Sequence, residues 1–174
     1  MILQTHPRVT EKELLVQCLR DSEEKFVSAA SVSEDSATIR PAEGWSILEV
    51  VEHITLSDRE MVRCYLETGS NETGVTPDAE AIIQGFGSDT SSKYQAPPHV
   101  LPTGRYKSLA GALKAYRETR NELVDFVNTC AENFRGRLLK SPMTDMDGYQ
   151  IFLFIAAHSD RHRLQIERIK REIG

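Results

Sequence analysis

Cysteine is scarce in this chain. Cys18, Cys64 and Cys130 are odd in number, far apart and never form a CxxC pair, which argues against both a disulfide framework and a thiolate zinc site. Cys18 sits among Leu14, Leu15 and Leu19 and reads as a small buried hydrophobe. Positive charge is in deficit as well, with 21 Lys+Arg against 26 Asp+Glu, a net charge of -5 and a pI near 5.6. That balance excludes the basic groove by which nucleic acid is held. No stretch approaches the roughly 18 apolar residues of a membrane span, and the opening MILQTHPRVTEKELL has neither a charged n-region leading into an apolar core nor a small-residue cleavage site. The expectation is a cytoplasmic protein with no nucleic-acid or membrane partner. Period-two alternation is absent, as are internal repeats and any low-complexity tract outside one loop.

What is present is helical periodicity. The 174 residues show no composition break and read as a single domain, 1-174, able to bury about 70% of the surface its unfolded chain exposes. A first helix is expected from about Thr10 to Ala30, opened by the capping box Thr10/Glu13 and carrying Leu14, Leu15, Cys18, Leu19, Ser22 and Phe26 at helical spacing. A second begins at Ser46 with Glu49 three residues on, and runs through Val50, Val51, Ile54, Met61, Val62 and Tyr65 to a stop at Gly69. A third, from about Arg105 to Cys130, has Leu109, Leu113, Tyr116, Leu123 and Val127 in a stripe interrupted by Arg120. The fourth starts near Asp147, with Gln150 at its third position, and carries Ile151, Phe152, Ile155, Ile166 and Ile169 toward the C-terminus. Residues 69 to 104, rich in Gly, Pro, Ser and Thr, form a connection longer than compact domains ordinarily use, with a short helical turn at Ala79 to Gln84. Segments 31 to 45 and 131 to 146 are the remaining connections. The fold class is all-α: a four-helix bundle with one long crossover loop between its second and third helices.

Only five histidines occur, and two of them, His158 and His162, lie one helical turn apart. They share the direction of Ile151, Ile155 and Ile169, whereas Asp160, Arg161 and Arg163 point away. Two imidazoles aimed into a core would each cost about 1 to 3 kcal/mol without a polar partner. A divalent cation answers both at once, because an i, i+4 histidine pair is the spacing by which a helix gives two ligands to one ion. His53, mid-way along the second helix beside Val50 and Ile54, is the candidate third ligand. Three protein ligands would leave a coordination position open for water or substrate. The plainer alternative is that these histidines are core residues with separate partners. His6 and His99 read as exposed.

Around these residues several roles stay open. Glu49 serves the Ser46 capping box or orients His53 from one turn away. Arg120 belongs to a buried ion pair or anchors a substrate carboxylate. Gln165 bonds a neighbouring helix or a water at the open position. Tyr65 and Tyr149 line a pocket or pack at bundle ends, and Trp45 plugs one end. The TDMDG stretch with Asp145 and Asp147 begins like a calcium loop but lacks the glutamate at the twelfth position.

The segments WSILEVVEHI, Trp45 to Ile54, and HSDRHRLQI, His158 to Ile166, resemble the two signatures of the DinB-like superfamily of damage-inducible and stress-related bacterial proteins. In that family W-S-x-x-E-x-x-x-H in the second helix and H-x-x-x-H-x-x-Q in the fourth supply three histidine ligands, which correspond here to His53, His158 and His162. The resemblance implies a four-helix bundle, one divalent transition metal (nickel, zinc or iron) and a homodimer. It also implies thiol-dependent enzymes, such as bacillithiol S-transferases and mycothiol-dependent maleylpyruvate isomerases, as functional relatives. The expected function is therefore a divalent-metal-dependent enzyme acting on a small-molecule substrate. Either it transfers a low-molecular-weight thiol to an electrophile or it hydrolyses with activated water. The alternative is a non-catalytic metal-binding stress or interaction protein.

Overall fold

The structure, a computed structural model, describes residues 10-70, 78-92, 94-140 and 144-174. Four long helices dominate the described residues: α1 (Glu11–Ala30), α3 (Ile47–Thr68), α5 (Leu109–Thr129) and α6 (Gly148–Ile173). Two shorter ones lie in the connections, α2 (Glu34–Thr38) and α4 (Ala79–Ser88). A two-stranded antiparallel ribbon pairs β1 (Leu138–Leu139) with β2 (Met146–Asp147). The all-α expectation holds, and no described helix is long and apolar enough to cross a membrane.

The caps explain where three of the long helices begin. Thr10 and Glu13, Ser46 and Glu49, and Asp147 and Gln150 each form a complete capping box, in which the cap side chain takes the third-position N–H and the third side chain takes the cap N–H. The third long helix starts later than its periodicity suggests, at Leu109 rather than near Arg105. The reason is backbone conformation: Ser108 is extended, with φ -147 and ψ 152, and caps the helix by accepting from the Gly111 N–H, so Arg105, whose N–H is held by the Glu52 carboxylate, stays in the preceding segment. The unanticipated α2 supplies a second anchor there, because Glu34 accepts from the Leu109 and Ala110 N–H groups at 2.7 and 3.0 Å. A carboxylate at a helix N-terminus satisfies orphan donors and complements the helix dipole.

Each long helix packs on two others: α1 on α5 and α6, and α3 on the same pair. Helices α1 and α3 are therefore diagonal across the bundle, as are α5 and α6. The apolar side chains form two clusters. One holds Phe26, Ile47, Val50, Ile54, Tyr116, Ile166 and Ile169; the other holds Leu15, Leu19, Tyr65, Leu123, Val127, Phe152 and Ile155. Full burial of one such side chain is worth about 1.5 to 3 kcal/mol.

A polar knot, to which every long helix contributes, joins these clusters. Arg120 of α5, wholly buried, pairs with Asp58 of α3 at 3.0 Å. It also donates to the Ile155 carbonyl of α6 at 3.3 Å and to the Ser22 hydroxyl of α1 at 3.5 Å. A further short bond runs from its guanidinium to Ser159 of α6, whose hydroxyl also meets the Tyr116 hydroxyl at 3.2 Å. Burial pushes the Asp58 carboxyl up to about 6 while Arg120 pulls it the other way, so the pair is ionised at neutral pH.

The described part of the long connection carries more regular structure than a loop-forming composition suggests. Its helical turn extends past Gln84 to Ser88 and lies flat on α6. Gly87 makes that possible, since a Cβ there would stand 3.1 Å from the Ala157 Cβ and carbonyl oxygen. Phe86 stacks on Phe154 with ring centres 4.8 Å apart. Arg161 covers the Phe86 ring and donates to the carbonyls of Phe86, Asp89 and Ser92. Farther on, a single 3-10 turn at Pro98–Val100 settles against α3.

A candidate metal centre of three histidines

His158 and His162 stand one turn apart on α6, and His53 faces them from the middle of α3. Ring centres are 4.6 Å apart for His158 and His162, 4.8 Å for His53 and His162, and 5.4 Å for His53 and His158. One ligand nitrogen from each ring lies within 4.8 Å of the others. Imidazoles around a tetrahedral ion stand about 3.3 Å apart, nitrogen to nitrogen, so side-chain adjustment alone suffices to gather them. Sequence reasoning named these three residues from two helices, and the structure brings them together.

The hydrogen bonds decide which nitrogen each ring offers. The Val100 carbonyl oxygen sits 2.9 Å from His53 Nδ1; a carbonyl only accepts, so Nδ1 carries the proton and Nε2 is bare. The side-chain oxygen of Gln165 sits 2.7 Å from His162 Nδ1 and fixes the same tautomer there. His162 Nε2, also bare, meets His158 Nε2 at 3.0 Å. His158 Nδ1 is buried without a hydrogen-bond partner. If His158 donates from Nε2 to its neighbour, a bare Nδ1 is stranded in the core; if it carries the proton on Nδ1, three lone pairs face one another. A cation resolves the second arrangement, and the donor set of three neutral imidazoles fits zinc, nickel or iron.

The electrostatics keep the rings neutral. Burial lowers the His53 pKa, and burial with the neighbouring imidazoles pushes His158 well below its ordinary value. His162 falls to about 3, by burial first and His53 second. Neutral imidazole is the ligating form, so no proton needs displacing at pH 7. His53 and His158 are buried and His162 is part-buried. The walls are aromatic: Trp45 packs on His53 with centres 4.8 Å apart, and Phe154 and Phe86 flank His158 at 5.7 and 5.8 Å. Ser57 places its hydroxyl 3.5 Å from His53 Nε2.

The neighbouring candidates divide. Gln165 joins the site through His162. Glu49 does not orient His53, because its carboxylate takes the Ser46 N–H at 2.9 Å and pairs with Arg40; the Val100 carbonyl occupies the place proposed for it. Arg120 is spent inside the polar knot rather than turned toward a substrate, although its Ser159 partner is the residue next to His158. Tyr65 and Tyr149 pack in the cluster containing Phe152, the latter under Arg135 at 3.9 Å. Trp45 serves as a wall of the site more than as an end plug. His99 is exposed and lies 3.4 Å from Glu60; His6 falls outside the described residues. Asp147 caps α6 and pairs with Arg135 at 3.0 Å. Cys18 is half-buried rather than buried, as are the other two cysteines, and burial raises the Cys18 and Cys64 thiols, which therefore stay protonated at neutral pH. Sequence reasoning missed Val100, Ser57, Phe86 and Phe154; Ser57, one turn after His53, and Phe154, one turn before His158, had a signal in helical spacing, whereas Val100 and Phe86 reach the site from other segments.

Fold and site together define an all-α bundle with a three-histidine centre between the helices that correspond to its second and fourth. The DinB superfamily model matches residues 19-166, a span that takes in all three histidines, Trp45 and Gln165, and the chain belongs to that superfamily. Comparison with curated proteins and with solved structures gives no match.

Proposed function

We propose that the protein is a divalent-metal-dependent enzyme whose ion is held by His53, His158 and His162. The observation that carries this is the convergence of three imidazoles inside the bundle, two of them held with Nε2 bare by Val100 and Gln165, with the Nε2 atoms of His158 and His162 3.0 Å apart. A bound divalent ion supplies Lewis acidity there, lowering the pKa of a thiol or water so that the nucleophile exists at neutral pH.

The chain's own residues do the rest. Val100 and Gln165 hold two rings in register, while Trp45, Phe86 and Phe154 shield the group from bulk water and strengthen its electrostatics. A small-molecule substrate would approach the coordination position that three ligands leave open. Transfer of a low-molecular-weight thiol to an electrophile is the preferred reaction, supported by the superfamily resemblance; hydrolysis uses the same geometry. Zinc, nickel and iron all suit the donor set, the chain is expected to act as a homodimer, and its compartment is the cytoplasm.

A non-catalytic role has one observation in its favour: the centre ties α3 to α6 beside the polar knot, where an ion would act as a staple. The two readings separate in one experiment. Untagged protein is stripped with chelator, reloaded with zinc, nickel or ferrous iron, and assayed against thiol-plus-electrophile pairs and ester or amide substrates. The enzyme reading expects turnover that chelation abolishes, reloading restores and His158→Ala eliminates. Strong thermal stabilisation by metal with no turnover of any of these substrates would establish the staple.

A further inference from the structure

Glu52 and His53 are consecutive on α3, and both grip the same piece of chain. Glu52 is 1% exposed, yet its carboxylate is fully engaged. Oε1 accepts from the Thr103 N–H at 2.7 Å and the Thr103 hydroxyl at 3.3 Å, and Oε2 accepts from the Gly104 and Arg105 N–H groups at 3.1 Å each. Three residues before Thr103, the Val100 carbonyl takes the His53 Nδ1 proton. The chain around these contacts is stiff: Pro102 lies between them with its φ fixed, Pro97 and Pro98 just before Val100 are fixed likewise, and Val100 and Leu101 close a 3-10 turn through their N–H groups. Gly104 adopts φ +75, a conformation glycine reaches without strain, where the chain presents three successive N–H groups to one carboxylate.

We infer that Glu52 is a positioning residue of the histidine centre: through segment 100-105 it holds the Val100 carbonyl against His53 Nδ1, keeping His53 Nε2 bare and directed at His158 and His162. This rests on the reading of His53 as a metal ligand. The side chain must be a carboxylate, because three of its four donors are backbone N–H groups. An amide at position 52 would turn its own NH2 toward at least one of them and leave a buried donor without a partner. Orientation of a ligating histidine by a fixed carbonyl is worth about 10- to 100-fold in metal affinity. Here the carbonyl sits on a single turn, Pro98–Val100, seated by the buried Val100 side chain and clamped on its C-terminal side by Glu52.

The test reads His53 itself. Glu52→Gln and, independently, Gly104→Ala are labelled with 15N-histidine and compared with the parent by NMR at pH 7.5 in the presence of chelator. The parent should show His53 protonated on Nδ1 alone; both variants should show a mixture with the Nε2-protonated form. Zinc affinity by competition with a chromophoric chelator should fall about 10- to 100-fold in each. Glu34→Gln, which loosens the start of α5 by removing a comparable set of backbone bonds, should leave the His53 tautomer unchanged and so separates positioning from general destabilisation. A folded Glu52→Gln with the parental His53 spectrum and zinc affinity overturns the inference. If Glu52→Gln fails to fold, Gly104→Ala decides by the same two readouts. If the parent binds no zinc, the metal reading falls, while the tautomer comparison still decides whether Glu52 orients His53.

Discussion

Replacing Asp58 with Asn removes the only carboxylate within ion-pair reach of Arg120 among the described residues, and its cost follows from burial. Both side chains are 0% exposed and stand 3.0 Å apart. Without the carboxylate, the buried guanidinium keeps neutral partners alone: the oxygens of Ser22, Ile155 and Ser159, the Tyr116 ring 5.2 Å away and the new amide oxygen. Breaking one side of such a pair costs about 3 to 5 kcal/mol. In a chain of this size each kcal/mol moves Tm by about 2 to 4 °C, so the midpoint should fall by about 6 to 20 °C. The double variant Asp58→Leu/Arg120→Met removes both charges and restores apolar packing. It should recover most of the loss, because the parental pair carries its own desolvation penalty. The assay is thermal and urea unfolding followed by far-UV circular dichroism with chelator present, so that metal linkage does not contribute. A single variant costing under about 1 kcal/mol, or a double variant as unstable as the single, would refute the claim that Arg120 is a buried charge whose cost Asp58 offsets.

The remaining predictions concern the histidines and two packing contacts. His53, His158 and His162 have folded-state pKa values below their unfolded values, so the unfolded chain binds more protons and stability falls as pH drops below about 6.5; for His162 this continues toward its folded value of about 3. Urea midpoints of metal-free protein between pH 7.5 and 4.5 should therefore decline more steeply for the parent than for His162→Asn, and equal slopes would contradict the depressed pKa. Gly87→Val places a side chain 3.1 Å from the Ala157 backbone oxygen and should destabilise by about 1 to 3 kcal/mol, with earlier proteolytic cleavage within residues 78-92; unchanged melting and cleavage would show that α4 is not tightly seated. Glu34→Gln keeps the shape but removes the charge from the start of α5 and should cost about 0.5 to 1 kcal/mol, measurable as a drop in urea midpoint with unchanged m-value.

Much of the architecture was legible because its signals are local. The Thr10, Ser46 and Asp147 caps announce their helices through the residue three positions on, and the apolar stripes give the faces that meet. The centre was legible for a related reason: imidazoles at i and i+4 on an apolar face pose a solvation problem whatever surrounds them. What escaped the sequence depends on contacts between distant segments. Helix α2 is five residues long, too short to show a period, and the ribbon strands are two residues each. The start of α5 is set by the extended Ser108, and the segment before it is held by Glu52, more than fifty positions away. Arg120 was visible as an interruption, but its partners were not, since Asp58, Ser22 and Ser159 each break a different helix's stripe and only packing brings them to one point. At Glu49 the sequence shows the cap while hiding the Val100 carbonyl that takes the other role.

The central claim is that three imidazoles from α3 and α6 share one divalent ion, and zinc binding to untagged protein tests it most directly. Equilibrium dialysis with elemental analysis, followed by X-ray absorption at the zinc edge, gives stoichiometry and ligand type together. The account predicts one ion per chain with three imidazole nitrogens at about 2.0 to 2.1 Å, and loss of that ion in each of His53→Ala, His158→Ala and His162→Ala. Substoichiometric metal that is unchanged by all three substitutions, or a coordination shell without histidine, would contradict it.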